Sequence, residues 1–185
     1  MIIIAVIFYF SKAPRFIPLP IIQAKIFALF LLSVLLPVLL FFLLKTTHRI
    51  KSIHLETTKE RIIPLVLFIV ILLLVLYRVF PSNELIEPHY FIVGILGSTL
   101  ACLILAILKL KASIHMIAVG AVFMFLVALS IHFHININAS IALMCVVSGA
   151  VGTSRLHLKA HSSIELFIGF FTGVIPQIIV MNYWL

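Results

Sequence analysis

Residues 62–80 read IIPLVLFIVILLLVLYRVF, and their only charge is Arg78. A helix rises about 1.5 Å per residue, so this run spans roughly 28 Å, close to the hydrocarbon thickness of a bilayer. Five more runs of this kind follow from the same reading: 26–44, 90–108, 114–131, 137–152 and 163–183. Hydrophobic residues make up 64% of the chain, charged residues 10%, and the mean hydropathy is +1.35. No run shows the alternating polarity of a transmembrane strand. The sequence therefore predicts an all-α, polytopic transmembrane bundle of about six spanning helices, residues 1–185 forming a single membrane domain.

The remaining apolar stretch, residues 2–10, is too short to cross, and Pro14, Pro18 and Pro20 prevent a continuous helix into the first span. Residues 1–25 thus read as a partial or interfacial segment, without the basic leader of a cleavable signal peptide. Pro37 and Pro176 are expected to kink the first and last spans. The fifth span carries Ser140, Ser148 and Gly149 and is expected to pack inside the bundle. In the sixth, GFFTG (169–173) places two glycines four apart, a pattern for close helix packing. Cys102 and Cys145 lie in apolar runs and read as packing residues.

Because spans alternate in direction, the loops 45–61, 109–113 and 153–162 share one membrane face. They hold Lys45, Arg49, Lys51, Lys59, Arg61, Lys109, Lys111, Arg155 and Lys159, out of 13 Lys and Arg in the chain. Lys12, Arg15, Lys25 and Arg78 fall on the other face, beside Glu84 and Glu87. The net charge of +8 is therefore a membrane-loop feature rather than a nucleic-acid footprint. Charge counting alone would make the basic face cytoplasmic. It does not account for the histidines there: His48, His54, His115, His157 and His161. Arginine offers phosphate a planar fork, lysine a point charge, and neutral histidine a nucleophile or proton donor. Three spans also aim helix N-termini at this face, which favours anions. His132 and His134, in HFHININ on the other face, have metal-pair spacing but no third ligand nearby, and read as a loop.

The basic segments carry recognisable spacing. SRLHLKAHSSIE (154–165) resembles the third signature of the type 2 phosphatidic acid phosphatase superfamily: serine-arginine, five residues, histidine, three residues, aspartate. Ser154, Arg155 and His161 match, and Glu165 stands where aspartate is usual. ASIH (112–115) resembles the second signature, keeping Ser113 and His115 but with Ala112 for proline and Ile114 for glycine. HLETTKERIIP (54–64) resembles the first, with Arg61 in place, His54 at the lysine position and Lys59 a candidate substitute. KERIIP is similar to a divergent bacterial branch of the superfamily. The resemblance runs from about residue 35 to the C-terminus.

The resemblance implies a bacterial inner-membrane phosphatase of lipid phosphates or pyrophosphates, undecaprenyl pyrophosphate among them. It implies no metal or other cofactor, and a phosphohistidine intermediate. His161 would be the nucleophile, oriented by Glu165, and His115 would protonate the leaving oxygen. Arg61, Arg155, Lys59, Ser113, Ser154 and His54 would bind the phosphate. The motif segments 45–61, 109–115 and 153–165 would face the periplasm, against the charge count. The partners implied are membrane lipids and the lipid phosphate substrate. The departures from the signatures support a competing reading, a catalytically degenerate member serving as a lipid-binding or structural subunit of a membrane assembly. An ion or proton transporter is disfavoured, since no acid falls mid-span.

Overall fold

The computed structural model describes residues 1–46, 58–82 and 84–185. The helices are α1 (Ile2–Lys12), α2 (Leu19–Phe30), α3 (Leu36–Thr46), α4 (Thr58–Arg78), α5 (Ile86–Ile107), α6 (Ile114–His132), α7 (Asn138–His157) and α8 (Ser163–Met181). A π-helical turn, Leu31–Leu35, joins α2 to α3, and six helices are long and apolar enough to cross a membrane. The protein is a multi-pass membrane protein with one further, shorter apolar helix at its N-terminus.

The first span starts at Leu19 rather than near residue 26. Proline breaks a helix only from within; Pro18 caps α2 and Pro20 lies in its first turn, where a missing N–H costs nothing. The break falls instead between α1 and α2. Further along, Pro37 can donate no N–H to the preceding turn. The chain meets it through the π turn, where Leu36 N–H reaches back to Leu31 O. Pro64 and Pro176 lie inside α4 and α8.

The buried centre is α6, with Val119, Ala121, Phe125 and Leu129 all nearly inaccessible. Its closest neighbour is α8. A Cβ on Gly173 would strike Ile117 O, one on Gly120 would strike Phe170 O, and one on Gly169 would lie 2.7 Å from Ser113 O. The GFFTG glycines thus let two backbones meet, as their spacing predicts. Phe91 of α5 stacks on Phe125 at 4.1 Å, and Trp184 closes the same cluster.

One expectation about packing fails. The fifth span, α7, has no buried residue and lies on the outside of the bundle, against α6. Its polar residues do not require an interior position. Ser148 Oγ donates to Met144 O at 2.7 Å within the same helix, and a Cβ on Gly149 would meet no atom within 4 Å.

At the face opposite the basic segments, α1 packs into the bundle with Ala5, Val6 and Tyr9 buried. It is a partial helix held in the core rather than one lying along the interface. Tyr9 donates to Glu87 Oε2 at 3.0 Å. Arg15 approaches the other carboxylate oxygen at 2.7 Å, an ion pair rather than an aligned hydrogen bond, and His132 Nε2 lies 3.4 Å from it. Lys25 pairs with Glu84 at 2.6 Å and also donates to Val79 O.

Candidate active site

Arg155 and His157 are not in a loop; α7 continues through them and ends at His157. Lys159 then adopts a left-handed conformation (φ 50°), its N–H donating to Leu156 O while Ala160 N–H donates to Arg155 O. This is the geometry with which helices commonly end, usually on glycine. The chain turns sharply, and Ser162 caps α8 by accepting the Glu165 N–H at 3.3 Å. His161 is thereby fixed between two helix ends. Its Nδ1 lies 2.6 Å from Glu165 Oε2, with the imidazole only 7% exposed. That contact makes Nδ1–H the donor and leaves Nε2 the ring nitrogen with a free lone pair.

The segment before α6 joins this turn directly. Ser113 N–H donates to the Glu165 carbonyl at 3.3 Å, an approach that only glycine at 169 permits. Lys111 Nζ donates to Ala160 O at 3.0 Å, tying the two loops a second time. From α4, Arg61 reaches across with Nη1 to Ala112 O at 2.9 Å. Arg61 lies in the first turns of that helix, 6% exposed, not in a solvated loop. Three segments far apart in sequence therefore meet at one membrane face.

Two polar atoms here are buried without a hydrogen-bond partner among the described residues: Ser113 Oγ and Arg155 Nε. Ser113 occupies the N-cap of α6, yet its hydroxyl makes no capping bond. A serine at that position normally satisfies a helix N–H. Buried polar groups left unpaired are rare in native folds and call for an explanation such as an external acceptor.

His115, the second residue of α6, is exposed and lies within Coulombic reach of Arg155, His161 and Arg61. Burial holds the His161 imidazole below its usual 6.5. The Glu165 hydrogen bond and charge oppose that shift, while Lys111 and Arg61 add to it. Burial prevails over the carboxylate, so His161 is neutral at pH 7 and its Nε2 is free to attack an electrophile.

The remaining expected residues divide. Ser154 is exposed on α7, and its hydroxyl makes no hydrogen bond among the described residues. Lys59 is placed by its backbone in the first turn of α4; His54 and His48 lie outside the described residues. His132 turns to Glu87 and Trp184. Among the described residues no three His, Cys, Asp or Glu side chains converge as a metal site. Lys111 was legible only as loop charge, because its partner is a backbone carbonyl that no spacing announces. Ser162 had a signal, the S-x-x-E of a capping box, although Glu165 here turns to His161.

No protein-family model, no curated protein and no solved structure matches this chain.

Proposed function

We propose that the protein is a phosphatase of membrane lipid phosphates or pyrophosphates that works through a phosphohistidine on His161. The observation that carries this reading is the 2.6 Å His161–Glu165 contact beside two buried donors, Ser113 Oγ and Arg155 Nε, that have no partner among the described residues. In the first step His161 Nε2 attacks the terminal phosphorus and a P–N bond forms as the P–O bond to the lipid oxygen, or to the bridging oxygen of a pyrophosphate, breaks. Glu165 stabilises the imidazolium character that develops. His115, when protonated, delivers its proton to the leaving oxygen. In the second step His115 takes a proton from water, which attacks phosphorus and frees His161 and inorganic phosphate.

Arg61 and Arg155 face the charge that grows on the phosphoryl oxygens, with the N-termini of α4, α6 and α8 behind them. Lys59, His54 and Ser154 are secondary candidates for the same anion. A site at span ends suits a substrate whose phosphate stays in the interface while its hydrocarbon enters the bundle. We assign the protein to a bacterial inner membrane with this face periplasmic.

Trapping the intermediate tests the mechanism. Acid-sensitive, alkali-stable label transferred from a ³²P-lipid phosphate to the wild-type chain, and absent from His161→Ala, is the expected result. Turnover without a labelled protein would remove the phosphohistidine step. The competing reading, a degenerate lipid-binding subunit, predicts binding of lipid phosphate with neither label nor turnover.

A further inference from the structure

Next to the segments that carry Ser113 and Arg61, a partly open apolar cavity of about 280 Å³ lies between the helices. Its upper wall is formed by residues next to the site: Ile114, between Ser113 and His115; Leu65, one turn beyond Arg61; and Cys102, within Coulombic reach of Arg61. Ser33 and Val34 of the π turn form one side, and such turns often mark functional positions. The hydroxyls in the α5 wall do not make it polar. Ser98 Oγ donates to Gly94 O at 3.0 Å and Thr99 Oγ1 to Ile95 O at 2.8 Å, both within their own helix.

The floor is α1. Ile2 and Ile3, in its first turn, line the cavity, as do Ala121 and Val122 of α6. From there α1 runs to the opposite face, where Tyr9 meets Glu87. The cavity extends along α6 from Ile114 to Val122, about 12 Å at the helical rise. The 11 residues of α1 span about 16 Å. Beyond Ile2 and Ile3, with Ala5, Val6 and Tyr9 buried in the bundle, α1 closes that end of the cavity.

A dry apolar cavity of about 150 Å³ holds a benzene ring, so by proportion this one holds about ten carbons. We propose that it receives a single hydrocarbon chain of a lipid phosphate, and that α1, fixed by Glu87, is the stop that limits how much chain is accommodated. The proposal rests on the lipid phosphatase reading for the head group, but it concerns the chain. Glu87 is fully buried and pairs with Tyr9, Arg15 and His132 from three different segments, so the floor is held rather than floating. Breaking a buried pair leaves an uncompensated charge, a strong restraint on α1 moving away.

Non-hydrolysable alkyl phosphonates test this without turnover. In reconstituted full-length protein, a dodecyl phosphonate carrying a diazirine near its tenth carbon is expected to label Ile2, Ile3, Ala121 or Val122. Unlabelled phosphonates from about four to sixteen carbons should compete with affinity rising about fourfold per methylene, up to a break near ten carbons. Ala121→Phe should move the break to shorter chains and Ile3→Ala to longer ones. Label confined to lipid-facing residues such as Phe167, or affinity that rises unbroken through the longest chains, would overturn the proposal. Phosphate release measured beside it separates the two readings. Cavity labelling without release from any lipid phosphate would reject the enzyme and keep the chain site; release with label elsewhere would do the reverse.

Discussion

Glutamine at position 165 keeps the shape of the glutamate and removes its charge, which makes Glu165→Gln the most informative single change at the site. Burial and the cations Lys111 and Arg61 pull the His161 imidazole down, while Glu165 alone pulls it up. If neutral His161 is the nucleophile and protonated His115 the acid, kcat/KM should fall on both sides of an optimum, with an acid limb below 6.5 set by His161 and an alkaline limb set by loss of the His115 proton. In Glu165→Gln the acid limb should move lower still, with the rate at its optimum reduced about 10²–10⁴-fold through loss of orientation and charge stabilisation. A pH–rate profile measures both; an acid limb moving upward would contradict this electrostatic account. Ser113→Ala should lower kcat by about 10-fold or more while costing little stability, because its buried hydroxyl has no hydrogen-bond partner among the described residues. At this scale the sequence was legible where chemistry repeats a local spacing. His161 and Glu165 are four apart and meet. Ser154, correctly spaced, lies exposed instead, because α7 runs through it and its rotation is set by packing that no local motif encodes.

One close backbone approach between elements supports the site directly. At Gly169 a methyl would lie 2.7 Å from Ser113 O and 3.1 Å from Ser113 N, both backbone atoms that cannot swing aside. Gly169→Ala should therefore destabilise the protein by about 1–3 kcal/mol and lower activity by moving the Ser113 segment off α8. Gly149→Ala is the matching control. Nothing lies within 4 Å there, so thermal stability should hold or rise by about 1 kcal/mol from helix propensity alone. Detergent-resolved unfolding curves for the pair check both. The spans were legible because lipid demands long apolar helices whatever their neighbours. The place of α7 was not, since Ser148 and Gly149 are equally at home against lipid once the hydroxyl is bonded within its helix. Nor was the docking of α1, which depends on Tyr9 meeting Glu87, 78 residues away.

Across the whole molecule the two faces differ in how their charges are matched. On one face Arg15 and Lys25 pair with Glu87 and Glu84. On the other, Lys111, Arg155 and two histidines lie with Arg61 around Glu165, which is already engaged by His161, while Glu60 stands in the first turn of α4. Cations gathered at helix ends suit an anion, and a positive-inside count misleads about orientation if the charges serve a ligand. A cysteine placed by Ser82→Cys, in a chain with Cys102 and Cys145 changed to serine, should be shielded from an impermeant thiol reagent in intact cells and labelled after lysis. Labelling in intact cells would reverse the assignment and put the motif face in the cytoplasm. The claim on which the account turns is hydrolysis at His161. Its most direct measurement is phosphate release by purified protein from a panel headed by undecaprenyl pyrophosphate and phosphatidic acid, with chelator present and His161→Ala alongside. The account predicts release that persists in chelator and falls at least about 10³-fold in the variant. Release unchanged in His161→Ala, or none from any lipid by folded protein, would contradict it.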